Sequence, residues 1–351
     1  MNHYTKRIDC NVRQGVKSWR QLADYMAEPW KTHIAEFGLR LPKAYAPPGK
    51  ADINPKYELS NHAAVNDPER LSAVFLEPYG IEYAILTGTV CDVSAFGDAD
   101  YAAVAAQAGN DWLIEQWLSR HDAFLGSMTI ATQDPIRAAR EIERVGTHPR
   151  IVQISMSSGA QLPYGHRYYA PIYETASKLN LPIAIHAGNE GGGISSPPSS
   201  VGYVSDYFQF YSVNSHALIA HMVNLIGEGV CDTYPNLKFV LSGCGFSWLP
   251  NVMWRMDRAY HALRSTVPQL RKWPSDYIRD HFYITTQPLD ESPDPEHTRQ
   301  LLEMTGAEPM LLFASGYPAW DADDPTRILP GLSEQTRANI FYGNAKKLYR
   351  L

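Results

Sequence analysis

The chain has 351 residues, 44% of them hydrophobic and 19% charged, with a formal net charge of −6. That balance excludes wholesale disorder, and its acidic sign argues against a nucleic-acid-binding protein, whose footprint is a basic domain. At ~100–200 residues per domain the length suggests two or three domains, unless the chain is an α/β barrel, which runs to roughly 250 residues or more as one unit.

Short apolar runs alternate with longer helical patterns along nearly the whole chain. The first run, residues 6–10 (KRIDC), reads as a strand and is followed by a long insert, 11–65, with a Pro-rich stretch at Ala46-Pro47-Pro48-Gly49. Asn66-Asp67-Pro68-Glu69 then caps a helix over 67–77, with Pro in its first turn. Strands at 82–86, 124–130, 151–155 and 182–186 follow, separated by helical patterns at 101–119, 135–145 and 170–179. A second insert, 187–211, carries Gly191-Gly192-Gly193 and reads as a lid. Helix 214–231, strand 238–241, helix 249–263, strand 282–285, helix 295–304, strand 310–314 and helix 333–342 complete the chain. The strand runs are short and continuously apolar, as buried parallel strands are. Eight strands each followed by a helix predict a single (β/α)8 barrel over 1–351. Both inserts follow strands, which puts them on the face where barrel active sites lie. A doubly wound sheet would show a Gly-rich phosphate turn after its first strand, and Arg13-Gln14-Gly15 is not one.

No run of ~18 apolar residues offers a membrane span, and Met1 to Arg7 has no apolar stretch that could serve as a signal-peptide core. Cys10, Cys91, Cys231 and Cys244 form no CxxC pair and no disulfide framework. The expectation is a cytoplasmic protein with reduced thiols and no membrane or nucleic-acid partner.

The segment Gly229-Val230-Cys231-Asp232-Thr233-Tyr234-Pro235-Asn236-Leu237-Lys238 resembles the helix-to-strand signature of the amidohydrolase-related family, in the aminocarboxymuconate-semialdehyde decarboxylase-like branch of the metal-dependent amidohydrolase superfamily. The resemblance continues through Gly245-Phe246-Ser247-Trp248-Leu249-Pro250, Trp254-Arg255-Met256-Asp257-Arg258, Thr285-Thr286-Gln287-Pro288 and Asn344-Ala345. It includes Phe313-Ala314-Ser315-Gly316-Tyr317-Pro318-Ala319-Trp320-Asp321. It implies a distorted barrel, commonly a dimer, with a divalent metal at the mouth. The ligands it implies are a His-x-His after strand one, a His after strand five, an acid or His after strand six in some members, and an Asp after strand eight.

This sequence departs from that ligand set. The His-x-His slot reads Asn11-Val12-Arg13, the strand-six slot falls at Ser242-Gly243, and the strand-eight Asp and the His after it are replaced by Gly316 and Ala319. His186 is the one expected ligand that remains, and one donor cannot hold a catalytic zinc, which takes at least three from the protein. The packing motifs persist while four separated segments have lost their donors, so no family-type metal is expected in this chain. His186 and His221 are the candidates for a non-family metal site, and with Arg13 they are the candidate catalytic residues. Asn11, Gly243, Ser315, Gly316 and Ala319 are the candidate pocket residues. Structural alternatives stand beside these: hydrogen-bonded core histidines, cysteines as small apolar residues, and an Asp9–Arg13 ion pair filling the vacated site. The aromatic group Tyr203, Tyr207, Phe208, Phe210 and Tyr211 reads as an interface seam or a pocket wall.

Three functions remain open on this basis. The first is a supporting subunit of a hetero-oligomer, whose metal-bearing paralogous partner (Zn, Mn or Fe) performs hydrolysis, decarboxylation or dinuclear non-haem oxygenation of the α-aminoisobutyrate hydroxylase kind. The second is a metal-independent decarboxylase or hydratase in which Arg13 holds a small carboxylate-containing substrate and His186 or His221 moves the proton. The third is an ordinary metal-dependent amidohydrolase.

Overall fold

In the computed structural model, residues 6–16, 18, 20–38, 45, 64–88, 91–290 and 292–351 are described. The Pro-rich stretch at 46–49, nearly half of the first insert and the side chain of Cys91 lie outside them. Eight parallel strands follow one another in sequence order around one sheet: β1 (Arg7–Val12), β2 (Ile81–Leu86), β3 (Phe124–Thr129), β4 (Ile151–Ser157), β5 (Ile183–His186), β6 (Phe239–Ser242), β7 (Phe282–Thr285) and β8 (Leu311–Leu312). Every strand agrees with an apolar run of the sequence to within a few residues at each end. Backbone bonds from Cys10 N–H to the Phe313 carbonyl (2.9 Å), Gly316 N–H to the Asn11 carbonyl (3.0 Å) and Arg13 N–H to the Tyr317 carbonyl (2.8 Å) draw β8 and the loop after it onto β1. The sheet therefore closes into the expected barrel. All three bonds lie beyond the short β8, so the seam is tightest at the mouth.

A small apolar cluster of Ile8, Cys10, Ile85, Leu125, Val152, Ala184, Val240 and Leu312 takes a residue from nearly every strand. Ala345, Leu348 and Tyr349 of the C-terminal helix Asn344–Tyr349 complete it. Tyr349 donates to Gln153 Oε1 (2.8 Å), and Tyr83 and Tyr283, near the starts of their strands, pack on the same cluster. The helix thus closes the end of the barrel opposite the mouth. Sequence periodicity stops this region at 342. The structure continues it through a wider turn at Asn339–Gly343 into the closing helix.

Outside the strands a much larger core packs them against the surrounding helices, with Trp117, Phe75, Tyr173 and Tyr277 fully buried. The helices Pro135–Val145, Ala170–Leu179 and Leu249–Leu263 match their predicted bounds. The pattern over 214–231 divides into Ser215–Gly227 and Val230–Thr233, because Gly229 adopts a left-handed φ of 75° that a continuing helix cannot use. Helices at Trp30–Phe37, Tyr207–Val213 and Pro274–His281 were not anticipated; the first two lie in the inserts. Among the described residues no helix is long and apolar enough to cross a membrane.

Asn110, buried in helix Ala99–Leu113, replaces a missing strand neighbour for the end of β3. Its Nδ2 donates to the Thr129 carbonyl (2.9 Å) and its Oδ1 accepts from Thr129 N–H (2.7 Å). Asn110→Ala would leave both backbone groups buried and unpaired. We expect a loss of ~2–4 kcal/mol, read as a lowered urea midpoint with an unchanged denaturant slope.

Candidate active site

The ligand slots of the resembled family hold Asn11 and Arg13 at β1, His186 at β5, Ser242-Gly243 at β6 and Gly316 after β8. Asn11, at the end of β1, is fully buried and bridges two elements: Thr87 Oγ1 donates to its Oδ1 (2.7 Å), and its Nδ2 donates to Gln287 Oε1 (3.3 Å). Thr87 directly follows β2, and Gln287 lies two residues beyond β7. The Gln287 Nε2 donates in turn to Asp321 Oδ2 (3.0 Å), which also accepts from the Tyr211 hydroxyl (2.8 Å). Beside Asp321, burial pushes the Tyr211 phenol well above its usual range.

Gly316 explains how Gln287 reaches that place. A Cβ at Gly316 would lie 2.5 Å from Gln287 Cδ, and its φ of 71° is left-handed. The room that a strand-eight acid would need is occupied by the Gln287 amide. Ser315 and Ala319, also expected at the pocket, are buried in the same turn. Ser315 Oγ accepts from Tyr317 N–H (3.0 Å), and Ala319 N–H donates to the Gly316 carbonyl (2.9 Å).

His186 ends β5 and is half-buried. Its Nδ1 lies 2.9 Å from the Ala187 carbonyl, and a carbonyl only accepts, so Nδ1 carries the hydrogen. Gly243, after β6, leaves room against the ring: a Cβ there would meet His186 Cε1 at 3.4 Å and Nε2 at 3.7 Å. His221 is placed differently. Buried on helix Ser215–Gly227, it accepts from Tyr164 N–H at Nδ1 (3.2 Å) and donates from Nε2 to the Ser158 carbonyl (2.8 Å), with Tyr164 stacked on its ring. Both nitrogens serve the backbone of the segment after β4, and burial pulls the imidazole down to about 4.

Arg13 follows β1, half-buried, and its guanidinium makes no ion pair with a described residue. The Asp9–Arg13 pair considered from the sequence does not form. Asp9 Oδ1 instead accepts from the N–H groups of Asn11 (3.1 Å) and Ser315 (3.0 Å), stapling β1 to the strand-eight loop. Asp9 Oδ2 is buried without a partner among the described residues, and desolvation pushes the carboxyl up to about 6. Cys10 faces the apolar cluster inside the barrel, and the register of β1 on β2 is irregular between Asp9 and Val12, so simple alternation does not set the direction of Asn11.

The aromatic group of the second insert is divided. Phe210 stacks on Tyr45 of the first insert (4.8 Å), and Tyr211 packs on Trp320 (5.0 Å). Tyr203 and Phe208 are 67% and 79% exposed. The seam therefore lies partly within this chain, between its two inserts and the strand-eight loop. Sequence reasoning missed Thr87, Gln287 and Asp321. The signal available was the loss of an acid at 316 beside a polar side chain in the Thr285-Thr286-Gln287-Pro288 motif.

The amidohydrolase family model matches residues 75–351. This chain belongs to the amidohydrolase family. It is 30% identical over 294 residues to the gamma-resorcylate decarboxylase of Polaromonas sp., a match covering 79% of this chain and 85% of that one. The crystal structure of a dihydroxybenzoic acid decarboxylase from Polaromonas sp., with bound manganese and the inhibitor 2-nitroresorcinol, superposes with a TM-score of 0.72 at 23% identity, over 99% of this chain and 97% of that one. An amidohydrolase from Mycobacterium avium subsp. paratuberculosis shares the fold with a TM-score of 0.76 at 16% identity, over 99% and 100% of the two chains. The expectation of a supporting subunit in a hetero-oligomer or an oxygenase finds no support in these likenesses.

The residues present do not fit the divalent metal that the family implies. Among the described residues no three His, Cys, Asp or Glu side chains gather to hold an ion. The strand-one slots hold an amide and a guanidinium, Gln287 occupies the strand-eight space, and both nitrogens of His221 are engaged.

His221 and Asp9 set opposite pH dependences. An imidazole depressed to about 4 in the fold contributes stability that is complete above its ordinary value of 6.5 and is lost as pH falls toward 4. A carboxyl raised from 3.8 to about 6 contributes in the other direction: its stability is complete below 3.8 and is lost as pH rises through about 6. His221→Gln should flatten the acid limb of the stability profile. We expect the melting temperature of the variant to fall less than that of the native chain between pH 6.5 and 4. Equal slopes would show that His221 is not buried in its neutral form.

Proposed function

We propose that this chain is a decarboxylase of small aromatic hydroxy-carboxylic acids that works without the family metal. Arg13 holds the substrate carboxylate and His186 supplies the proton. The observation that carries the reading is Arg13, a half-buried cation at the end of β1 without an ion-pair partner among the described residues, in the slot where the family places a metal ligand. The family membership and the 30% identity to a gamma-resorcylate decarboxylase support the reaction class.

The reaction needs little beyond these groups. A proton is delivered to the ring carbon that bears the carboxylate. The bond from that carbon to the carboxyl then breaks, its electron pair stays with the ring and restores aromaticity, and carbon dioxide leaves. A hydroxyl ortho or para to the carboxylate feeds electron density to the protonated carbon. His186 suits the donor role because Nδ1–H is committed to the Ala187 carbonyl, which directs proton exchange to Nε2 beside Gly243. His221, held at both nitrogens by backbone, is proposed as a positioning residue for the segment after β4. Asn11, clamped between Thr87 and Gln287, walls the mouth beside Arg13.

The two main residues should act on different kinetic constants. A carboxylate ion pair that is as strong in the ground state as in the transition state lowers KM without raising kcat. Arg13→Ala should therefore raise KM for gamma-resorcylate roughly ten- to a hundredfold. His186→Ala should lower kcat by roughly 10²–10⁴-fold. Carbon dioxide release by the native chain should survive exhaustive chelation. Turnover abolished by a chelator and restored by manganese would overturn the metal-free reading. No turnover on a panel of hydroxybenzoates would overturn the reaction class.

A further inference from the structure

The mouth contains a directed chain of hydrogen bonds that runs from the second insert to β2: Tyr211 to Asp321, Gln287 to Asp321, Asn11 to Gln287 and Thr87 to Asn11. Its direction is set at one end. The Asp321 carboxylate accepts, so Gln287 must turn its NH2 toward it and present its carbonyl to Asn11. Asn11 must then turn its NH2 toward Gln287 and present its own carbonyl to the Thr87 hydroxyl. A single carboxylate, roughly at the edge of the mouth, thus orients two buried amides that would otherwise flip at little cost.

The same carboxylate holds the insert. Tyr211 is on helix Tyr207–Val213, and Trp320, adjacent to Asp321, packs on the Tyr211 ring and donates to the Tyr207 hydroxyl (3.3 Å). The other side of that helix is held by the first insert, where Phe210 stacks on Tyr45 and the Tyr45 hydroxyl bonds both the N–H and the carbonyl of Val204. Among the described residues, Gln287 is the side chain that joins this insert assembly to Asn11, the residue two positions before Arg13.

We infer that Gln287 is a positioning residue that couples the second insert to the substrate site. Ordering Asn11 against a bound acid orders Gln287 and Asp321, and through them fastens helix Tyr207–Val213 over the mouth. The inference rests on the reading of the mouth as an aromatic-acid site, but the coupling itself is a property of the hydrogen-bond chain.

The test uses the full chain and chymotrypsin, which has sites at the exposed Tyr203 and Phe208. Without ligand, Gln287→Met, Asp321→Asn and Tyr211→Phe should each be cleaved in this segment about tenfold faster than the native chain, because cleavage tracks the population of the released insert. Native cleavage rates in all three would overturn the inference. With saturating gamma-resorcylate, cleavage of the native chain should slow, and that protection should vanish in Gln287→Met, assayed well below the melting temperature of the variant. Protection retained in this variant would also overturn the coupling. Should Gln287→Met fail to fold, Asp321→Asn and Tyr211→Phe decide, since both leave Gln287 in place. Failure of the native chain to bind the acid would count against the decarboxylase reading alone, and the unliganded rates would still decide the coupling.

Discussion

The amide contact between Asn11 and Gln287 is the constraint on which the mouth of this barrel depends. A barrel mouth of this family collects polar side chains from strands that are not neighbours, and something must hold them together at the end where the sheet stops. Here the bridge is neutral. Asn11 spans from β1 past the end of the two-residue β8 to the loop after β7, and it can do so only because Gly316 contributes no side chain to the space between. An acid at 316 and a glutamine at 287 compete for the same volume, so the glycine and the glutamine are two halves of one arrangement. The backbone cooperates: the Asn11 carbonyl accepts from Gly316 N–H, and Asp9 accepts from the N–H groups of both Asn11 and Ser315.

That arrangement has an electrostatic cost that falls on Asp9. Its carboxyl is buried at the β1–β8 seam, where one oxygen serves two backbone donors and the other has no partner among the described residues. Burial therefore favours its neutral form up to about pH 6. Arg13, four positions on, does not relieve it. Among the described residues the cation has no ion-pair partner, as the proposed anchor for a carboxylate requires. A paired Asp9–Arg13 would have produced a self-satisfied, inert mouth.

The barrel was legible in the sequence because it depends on local signals. Buried parallel strands are continuous apolar runs, and each of the eight appears as one. The altered ligand slots were equally legible, since Asn11, Arg13, Gly316 and Ala319 stand in recognisable motifs. Gln287 was not, because its role arises from an absence at residue 316, and the two meet only when β7 and β8 lie side by side. One of the expected site residues changed meaning for a similar reason. His221 sits on a helical pattern near the mouth, but only the structure shows backbone groups at both ring nitrogens. The helices Tyr207–Val213 and Asn344–Tyr349 escaped because their apolar faces are short and are satisfied by partners far away in sequence: Tyr45 and Trp320 for the first, the strand starts for the second.

The central claim is that hydrogen-bonded amides and Arg13, a cation without an ion-pair partner among the described residues, stand at the mouth where a related structure holds manganese. Elemental analysis of the purified chain, after incubation with manganese and removal of the excess, tests it most directly. The account predicts far less than a stoichiometric amount of bound metal and no manganese-dependent rise in melting temperature. A stoichiometric content of manganese or zinc, with a matching thermal shift, would contradict it.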